Sequence, residues 1–458
     1  MAKTAGIRGN SVSPRTHIVL IPGFPGFDAL GQLEYYAGVT PQFRRWKKAA
    51  GSDGQSVVLH YFDNFPTAAV VTRAALLRRY LTKRIARGEF LQHDALALVG
   101  HSTGGLDIRQ LIWGLAAELQ LNAGLKYPVD GTQDTSFAVP GTELLRMLNR
   151  VVFLSVPQFG TNIADWVRDH DLGRRAVVAD LRTSIAASQV PVLDRLQNCI
   201  SSTVATATNL DLLEAIQDVL SEAEPDRATD RMQVALAQDA ASEVALWLRH
   251  IATDFSAIDD LASEALPVDP KSPAHFDHEM REQEIEYWKH YHIQTRSYAT
   301  IGTRPFGFDP SCPAPRWDLL NPFSYPETTQ HTRQSAGTDI VYRTCYRACA
   351  GGPFGYPDVG NMSKPPVLVD AAGAARTIAL WDNDGIVNTA SMLWPDAGET
   401  SLVNADHMDI VGHYRRVPAA DAESGRKYEA YDLLKSASEF DRKNFAKVWN
   451  GVFDFCAS

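Results

Sequence analysis

The segment Gly100–Gly104, which reads Gly-His-Ser-Thr-Gly, constrains the fold of this chain more than any other feature. The apolar run before it, Ala95–Val99, is typical of a buried strand, and residues 106–121 carry apolar side chains at helical spacing. A serine between two such elements lies on a tight turn that exposes its hydroxyl. The flanking glycines leave room for the strand and the helix to approach. The pattern therefore predicts a nucleophilic serine, Ser102, at the carboxyl end of a strand.

The first 157 residues alternate strand-like runs with helical patterns, which predicts a mostly parallel sheet with helices on both faces. Residues 158–293 read as successive helices, which predicts a large helical cap or lid inserted into the sheet domain. The sheet is expected to resume over 294–458, with an irregular excursion at 303–373. The expected strands and apolar runs are 17–21, 57–62, 95–99, 151–156, 298–301, 377–381 and 401–403, and the expected helices include 67–87 and 428–453.

Composition narrows the classes of protein. The chain has 458 residues, of which 45% are hydrophobic, so it can bury a large core. Its formal net charge of −10 disfavours a nucleic acid as a partner, because a phosphate-binding face needs concentrated Lys and Arg. It has no apolar stretch of the roughly 20 residues that span a bilayer and no apolar signal region near Met1. We therefore expect a cytoplasmic protein without a transmembrane segment. Secretion with a leader that has been removed stays open as the alternative, and so does the oligomeric state.

The five cysteines form an odd set, which does not indicate a disulfide framework. Cys345 and Cys349 are spaced to share a helix face, or one of them could pair with Cys312. We favour reduced, structural thiols.

A serine hydroxyl becomes a nucleophile when an imidazole takes its proton and a carboxylate orients the imidazole. After a strand–turn–helix serine, the chain order is serine, acid, histidine. His407, in a polar turn after the run 401–403, is the expected base, with His413 as the alternative. Asp384, which follows an apolar run and precedes Gly385, is the expected acid. The weaker candidates for the acid are Asp382, Asp396 and Asp406.

The negative charge that develops on an attacked carbonyl needs two backbone N–H donors. Thr103, which follows the serine, is expected to supply one. The other should come from the loop after the first strand, Pro22–Gly26. Proline cannot donate, so Phe24 is the candidate there.

Four motifs together resemble the α/β-hydrolase lipases, and most closely the bacterial true lipases of family I.5, a group of thermophilic Bacillus-type enzymes with polyester-degrading relatives. The motifs are Ile18–Gly26, Gly100–Gly105, NDGIVNTASM at 383–392 and DHMDIVG at 406–412. The resemblance implies an α/β-hydrolase fold, a mostly parallel central sheet flanked by helices with a large helical cap or lid insertion. It implies a carboxylic-ester hydrolase without a cofactor, acting on small-molecule or lipid esters with apolar acyl chains, such as triglycerides or aliphatic polyesters.

The same resemblance implies the roles of individual residues. It makes Ser102, Asp384 and His407 the catalytic triad of an acyl-enzyme mechanism, and it makes Phe24 and Thr103 the oxyanion donors. An acyltransferase or thioesterase with the same triad is the main alternative. A non-catalytic binding protein of the same fold is a weaker one, because all three triad types occur in order.

The chain departs from the family at its metal sites. Within residues 56–95, the only histidines that could serve as ligands of the structural zinc that the family carries are His60 and His93. The family's calcium site uses a carboxylate that Asp409 matches, but a second one is replaced around residues 414–415. We therefore predict no metal.

Overall fold

A computed structural model describes the sheet, most of its helices and the loops at the sheet edge. The described residues are 14–24, 29–30, 33–51, 56–64, 68–120, 141–169, 256–261, 278–305, 308, 340–351, 365–414, 432–434 and 436–458.

An eight-stranded sheet forms the centre of the described chain, in the order β4-β1-β5-β6-β7-β10-β8-β9. Its neighbouring strands pair in parallel except for the antiparallel pair β8–β9. A separate short hairpin pairs β2 with β3. The strands are β1 (Thr16–Ile21), β2 (Ala29–Leu30), β3 (Leu33–Glu34), β4 (Val57–Tyr61), β5 (Ala95–His101), β6 (Leu148–Leu154), β7 (Gln294–Ile301), β8 (Val367–Asp370), β9 (Ala375–Thr377) and β10 (Thr400–Asn404).

Helices connect the parallel strands and cover the sheet. Those in the described chain are α1 (Val39–Ala50), α2 (Val70–Ala86), α3 (Thr103–Gln120), α4 (Gly141–Met147), α5 (Asn162–Asp169), α6 (Ser256–Leu261), α7 (His278–His290), α8 (Ile340–Gly351) and α9 (Arg442–Ala457). Within the described ranges, none of them combines the length and apolarity that crossing a membrane requires. The mostly parallel sheet with flanking helices is an α/β-hydrolase fold, as predicted.

Two apolar clusters pack against opposite faces of the sheet because side chains alternate along each strand. In β1, Ile18 and Leu20 join one cluster with α1 and α9, whereas Val19 and Ile21 join the other with α2, α3 and α7. All four of these side chains are fully buried. Burial on both faces explains why the parallel strands read as continuous apolar runs in the sequence.

The apolar run 377–381 does not form a strand beyond Thr377. The Asp382 backbone N–H donates to the Ala379 carbonyl, and the Ala379 N–H donates to the Asp382 carboxylate, so these residues close a turn. Such side-chain bonds compete with a strand for backbone groups. The strands of this region lie earlier, at β8 and β9, and the excursion predicted to be irregular also contains α8.

Two further predictions differ in extent from the structure. The last helix begins at Arg442 rather than near 428, because the Asp441 carboxylate caps it by accepting from the Asn444 N–H at 2.9 Å. Of the predicted helical insertion, α5, α6 and α7 are described, and the rest lies outside the described residues.

Cys345, Cys349 and Cys456 are buried, and no disulfide joins the first two to each other. Burial raises the pKa of the Cys456 thiol to about 12 and raises the pKa of Cys349 as well. Cys312 lies outside the described residues.

Candidate active site

Ser102 lies on the tight turn predicted between β5 and α3. Its φ of 53° is in the left-handed region that non-glycine residues rarely occupy. The Ser102 N–H donates to the Leu154 carbonyl at 3.0 Å, which fixes the turn against β6. A Cβ atom at Gly100 would lie 2.6 Å from the Gly105 backbone, and one at Gly104 would lie 2.5 Å from the Ile21 carbonyl oxygen. Close approach of backbones therefore requires both glycines.

Asp384 and His407 form a buried acid–base pair at the carboxyl edge of the sheet. The His407 Nδ1 atom lies 2.8 Å from Asp384 Oδ2, and the His407 backbone N–H donates to the Asp384 carbonyl at 3.1 Å. The other carboxylate oxygen accepts from the N–H groups of Ile386 and Val387 at 3.0 and 2.8 Å. Because a carboxylate oxygen accepts, Nδ1 carries the hydrogen and Nε2 is available as a base.

Thr300 gives the Asp384 carboxylate a further donor that sequence reasoning missed. Its hydroxyl donates to Asp384 Oδ2 at 2.6 Å and lies 2.8 Å from the Ser155 hydroxyl, and both residues are fully buried. Ser155 follows β6 with a φ of 51°, so it is another strained residue at this edge. The available signal was position alone, since Thr300 and Ser155 stand at the carboxyl ends of neighbouring parallel strands.

The structure places His407 beside the residue that precedes Ser102. The rings of His101 and His407 are 4.6 Å apart between centroids, and His101 Nε2 lies 2.9 Å from the His407 carbonyl oxygen. Within the described ranges, no hydrogen bond joins the Ser102 hydroxyl to the His407 ring. Asp384 and His407, the predicted acid and base, are therefore in direct contact, whereas the bond from Ser102 to His407 stays a prediction.

The two predicted oxyanion donors, Phe24 and Thr103, keep their backbone N–H groups available. Neither amide donates a hydrogen bond within the part of the chain that the structure describes. The amide of the preceding residue, Gly23, is already taken, because it donates to the Tyr35 hydroxyl at 2.8 Å. Pro22 has no N–H, so Phe24 is the first available donor of this loop.

The alternative acids and base are engaged elsewhere. His413 Nε2 donates to the Tyr35 carbonyl at 3.0 Å. Asp382 binds its own turn, and Asp396 accepts from the N–H groups of Gly398 and Glu399. Asp406 accepts from the Ser436 hydroxyl. None of these four residues is bonded to the His407 ring in the described chain, so the geometry favours Asp384 as its partner.

A buried charged network supports the loop that carries Phe24. Arg73 on α2 pairs with Asp107 on α3 at 2.9 Å, and its guanidinium also donates to the Pro22 carbonyl at 3.4 Å. Asn64 donates to the same carboxylate at 2.8 Å. Burial raises the pKa of Asp107 to about 7 even though Arg73 and Asn64 lower it. The network fixes the end of β1 against α2 and α3.

Asp406, Asp409 and Asp432 are the one group in the described residues whose carboxylate oxygens lie close enough for a shared cation, within 4.8 Å of one another. Asp406 and Asp409, however, already accept from the Ser436 and Ser438 hydroxyls and from backbone N–H groups. Calcium takes six to eight oxygen ligands. Within the described residues, this arrangement does not supply such a set.

Comparison with known proteins places solved lipases and an esterase among the structures this chain is similar to. No family model and no curated protein matches the sequence. Lipase 1 from Pelosinus fermentans is 17% identical, covering 87% of this chain and 94% of its own, with a TM-score of 0.39. The mature lipase BlEst2 from Bacillus licheniformis is 12% identical, and the match covers 87% of this chain and 88% of the BlEst2 chain with a TM-score of 0.36. The metagenomic carboxyl esterase MGS0156 is 12% identical, covering 97% and 77%, with a TM-score of 0.34.

Proposed function

We propose that this chain is a serine carboxylic-ester hydrolase. The observation that carries the proposal is the hydrogen bond from His407 Nδ1 to Asp384 Oδ2 at 2.8 Å, beside the strained turn that holds Ser102. This is the arrangement in which an imidazole is oriented to take a proton from an alcohol. The resemblance to family I.5 lipases supports a substrate with an apolar acyl chain, such as a triglyceride or an aliphatic polyester.

In the proposed mechanism, Ser102 Oγ attacks the ester carbonyl while His407 Nε2 takes its proton. The amides of Phe24 and Thr103 donate to the oxyanion of the tetrahedral intermediate. His407 then returns the proton to the leaving alcohol as the carbon–oxygen bond breaks, which leaves an acyl-serine. Water, deprotonated by the same imidazole, cleaves that ester and restores the serine. Asp384 orients the imidazole through the bond to Nδ1 and stabilises the imidazolium.

Replacing the serine tests this function. We expect Ser102→Ala to lower kcat/KM for p-nitrophenyl esters by at least about thousandfold, because removing a triad nucleophile typically has an effect of this size. A fluorophosphonate probe should label the wild-type chain and not the variant. The measurements are ester hydrolysis across a series of acyl chain lengths and mass spectrometry of the labelled residue.

Ser155→Ala provides a matched control, since Ser155 is also a buried serine at the end of a strand with positive φ. In the Ser155→Ala variant, the fluorophosphonate probe should still label Ser102. Retention of activity within about tenfold in Ser102→Ala, or labelling of a different serine, would overturn the proposed function.

A further inference from the structure

A series of hydrogen bonds connects Gly23, in the proposed oxyanion loop, to the backbone of His407, the proposed base. We call this series the line of hydrogen bonds. The Gly23 N–H donates to the Tyr35 hydroxyl at 2.8 Å, and that hydroxyl lies 2.6 Å from His101 Nδ1. His101 Nε2 lies 2.9 Å from the His407 carbonyl oxygen. Tyr35 and His101 are both fully buried, so neither can exchange these partners for solvent.

The directions of these bonds follow from the two ends. A carbonyl oxygen only accepts, so His101 Nε2 carries a hydrogen and donates it to His407. In a neutral imidazole Nδ1 must then accept, and the Tyr35 O–H supplies the hydrogen. The Tyr35 oxygen in turn accepts from the Gly23 N–H. Every donor along the line thus has one acceptor, and burial keeps the pKa of His101 well below its usual value, so the imidazole stays neutral.

The two ends of the line belong to different parts of the proposed machinery. Gly23 precedes the proposed oxyanion donor Phe24, and a Cβ atom on Gly23 would lie only 2.5 Å from the Ser102 Cβ atom. The other end is the backbone of the proposed general base. A second bond holds Tyr35 in place, because His413 Nε2 donates to its carbonyl at 3.0 Å.

We propose that Tyr35 and His101 are positioning residues that set the spacing between the oxyanion loop and His407 on either side of Ser102. This inference rests on the proposed function. Neither residue touches the reacting atoms. They act by holding a donor and a base where the transition state needs them, and small errors in such positions reduce the rate. Their effect should therefore appear in kcat more than in KM.

The chain offers a matched control in the neighbouring residue. Tyr36 is also a buried tyrosine, and its hydroxyl donates to the Ile21 carbonyl at 2.6 Å. Tyr35→Phe and Tyr36→Phe each remove one buried hydroxyl near the end of β1. They differ because, within the described residues, the Tyr35 hydroxyl is bonded to both Gly23 and His101, whereas the Tyr36 hydroxyl is bonded to the end of β1.

The test compares these variants by kinetics on one p-nitrophenyl ester, inhibition by a trifluoromethyl ketone and thermal unfolding. We expect Tyr35→Phe to lower kcat about tenfold, to change KM less than about twofold and to weaken the ketone, which mimics the tetrahedral oxyanion, about tenfold. Tyr36→Phe should leave kcat, KM and the affinity for the ketone within about twofold of wild type. Its unfolding midpoint should nevertheless fall by about as much as that of Tyr35→Phe, because each variant loses one buried hydroxyl. Equal kinetic effects of the two variants would overturn the inference.

His101→Asn extends the test to the other end of the line and replaces Tyr35→Phe should that variant not fold. Asparagine keeps an acceptor near the Nδ1 position but is too short to reach the His407 carbonyl. We expect His101→Asn to lower kcat about tenfold. The double variant, Tyr35→Phe with His101→Asn, should lower kcat by far less than about hundredfold, because both changes interrupt the same series of hydrogen bonds. A multiplicative loss would overturn the inference. Failure of the wild-type chain to hydrolyse any ester or to label at Ser102 would instead refute the proposed function.

Discussion

At the scale of single residues, the Asp384 carboxylate is held from several directions. Its oxygens accept from two backbone amides, from the Thr300 hydroxyl and from His407 Nδ1. A carboxylate with this many donors is fixed in orientation. This favours a role in orienting the imidazole rather than in transferring a proton.

Thr300→Val tests the contribution of the hydroxyl. Valine has nearly the same shape but cannot donate, so Asp384 loses a charge-assisted hydrogen bond worth about 1.5–3 kcal/mol. We expect ester hydrolysis to fall roughly tenfold to hundredfold in kcat/KM, measured on the same ester as above. Thr300→Ser keeps the hydroxyl and should stay within about threefold of wild type. An equal loss in both variants would mean that packing, not the hydrogen bond, is responsible.

At the scale of elements, two of the three glycines in helix α3 have opposite requirements. A Cβ atom at Gly104 would lie 2.5 Å from the Ile21 carbonyl oxygen, whereas one at Gly114 would meet no atom within 4 Å. The first glycine lets α3 start against β1. No close contact requires the second glycine, Gly114, and its backbone loses more conformational freedom on folding than that of alanine would.

We therefore expect the two alanine variants to change stability in opposite directions. Gly104→Ala should lower the free energy of unfolding by about 1–3 kcal/mol through overpacking. Gly114→Ala should raise it by about 0.5–1 kcal/mol, the usual difference between glycine and alanine inside a helix. Thermal or urea unfolding measures both. A stabilised Gly104→Ala would contradict the packing described for this turn.

Local chemistry decided which elements could be predicted from the sequence. The turn at Ser102 was predictable because strand, glycines and helix are contiguous there. The pair of Asp384 and His407 was found through chain order and resemblance. The run 377–381 was misread because side-chain bonds from Asp382 turn the chain. Thr300, Ser155 and Tyr35 were missed because nothing local in the sequence marks a hydrogen bond between distant segments.

At the scale of the whole molecule, the sheet also holds a cluster of three polar side chains away from the proposed site, namely His17, His60 and Asp94. His17 on β1 binds Asp94 at 3.0 Å through Nε2, and its Nδ1 lies 2.9 Å from His60 Nε2 on β4. Burial lowers the pKa of His17, although Asp94 opposes this, and burial together with the neighbouring His17 lowers the pKa of His60 to about 4. Both imidazoles are therefore kept neutral in the folded chain.

This group should make the folded state sensitive to acid. The unfolded chain, in which a histidine titrates near its ordinary value of about 6.5, binds the proton more readily. The stabilisation is thus complete above about pH 6.5 and is lost as the pH falls toward 4. Asp94, whose pKa is lowered to about 2, keeps its contribution throughout that range.

We expect the wild-type chain to lose roughly 1 kcal/mol of stability through His60 between about pH 7 and pH 5, since partial exposure reduces the full effect. His60→Gln keeps a donor for His17 but cannot take up a proton. Its unfolding midpoint should therefore drop less than that of the wild type over the same pH range. An equal drop in both would remove His60 as the source of the sensitivity.

The position of β10 has a consequence for how the chain is made. β10 lies between β7 and β8, and the hairpin β8–β9 joins the described sheet only through it. A ribosome that has released everything up to residue 399 would therefore hold a chain whose sheet ends at β7, with the hairpin still detached. Unpaired strand edges at that stage invite association with other nascent chains. The hairpin β8–β9 can join the sheet only once β10 has been synthesised, and His407 follows β10 in the chain.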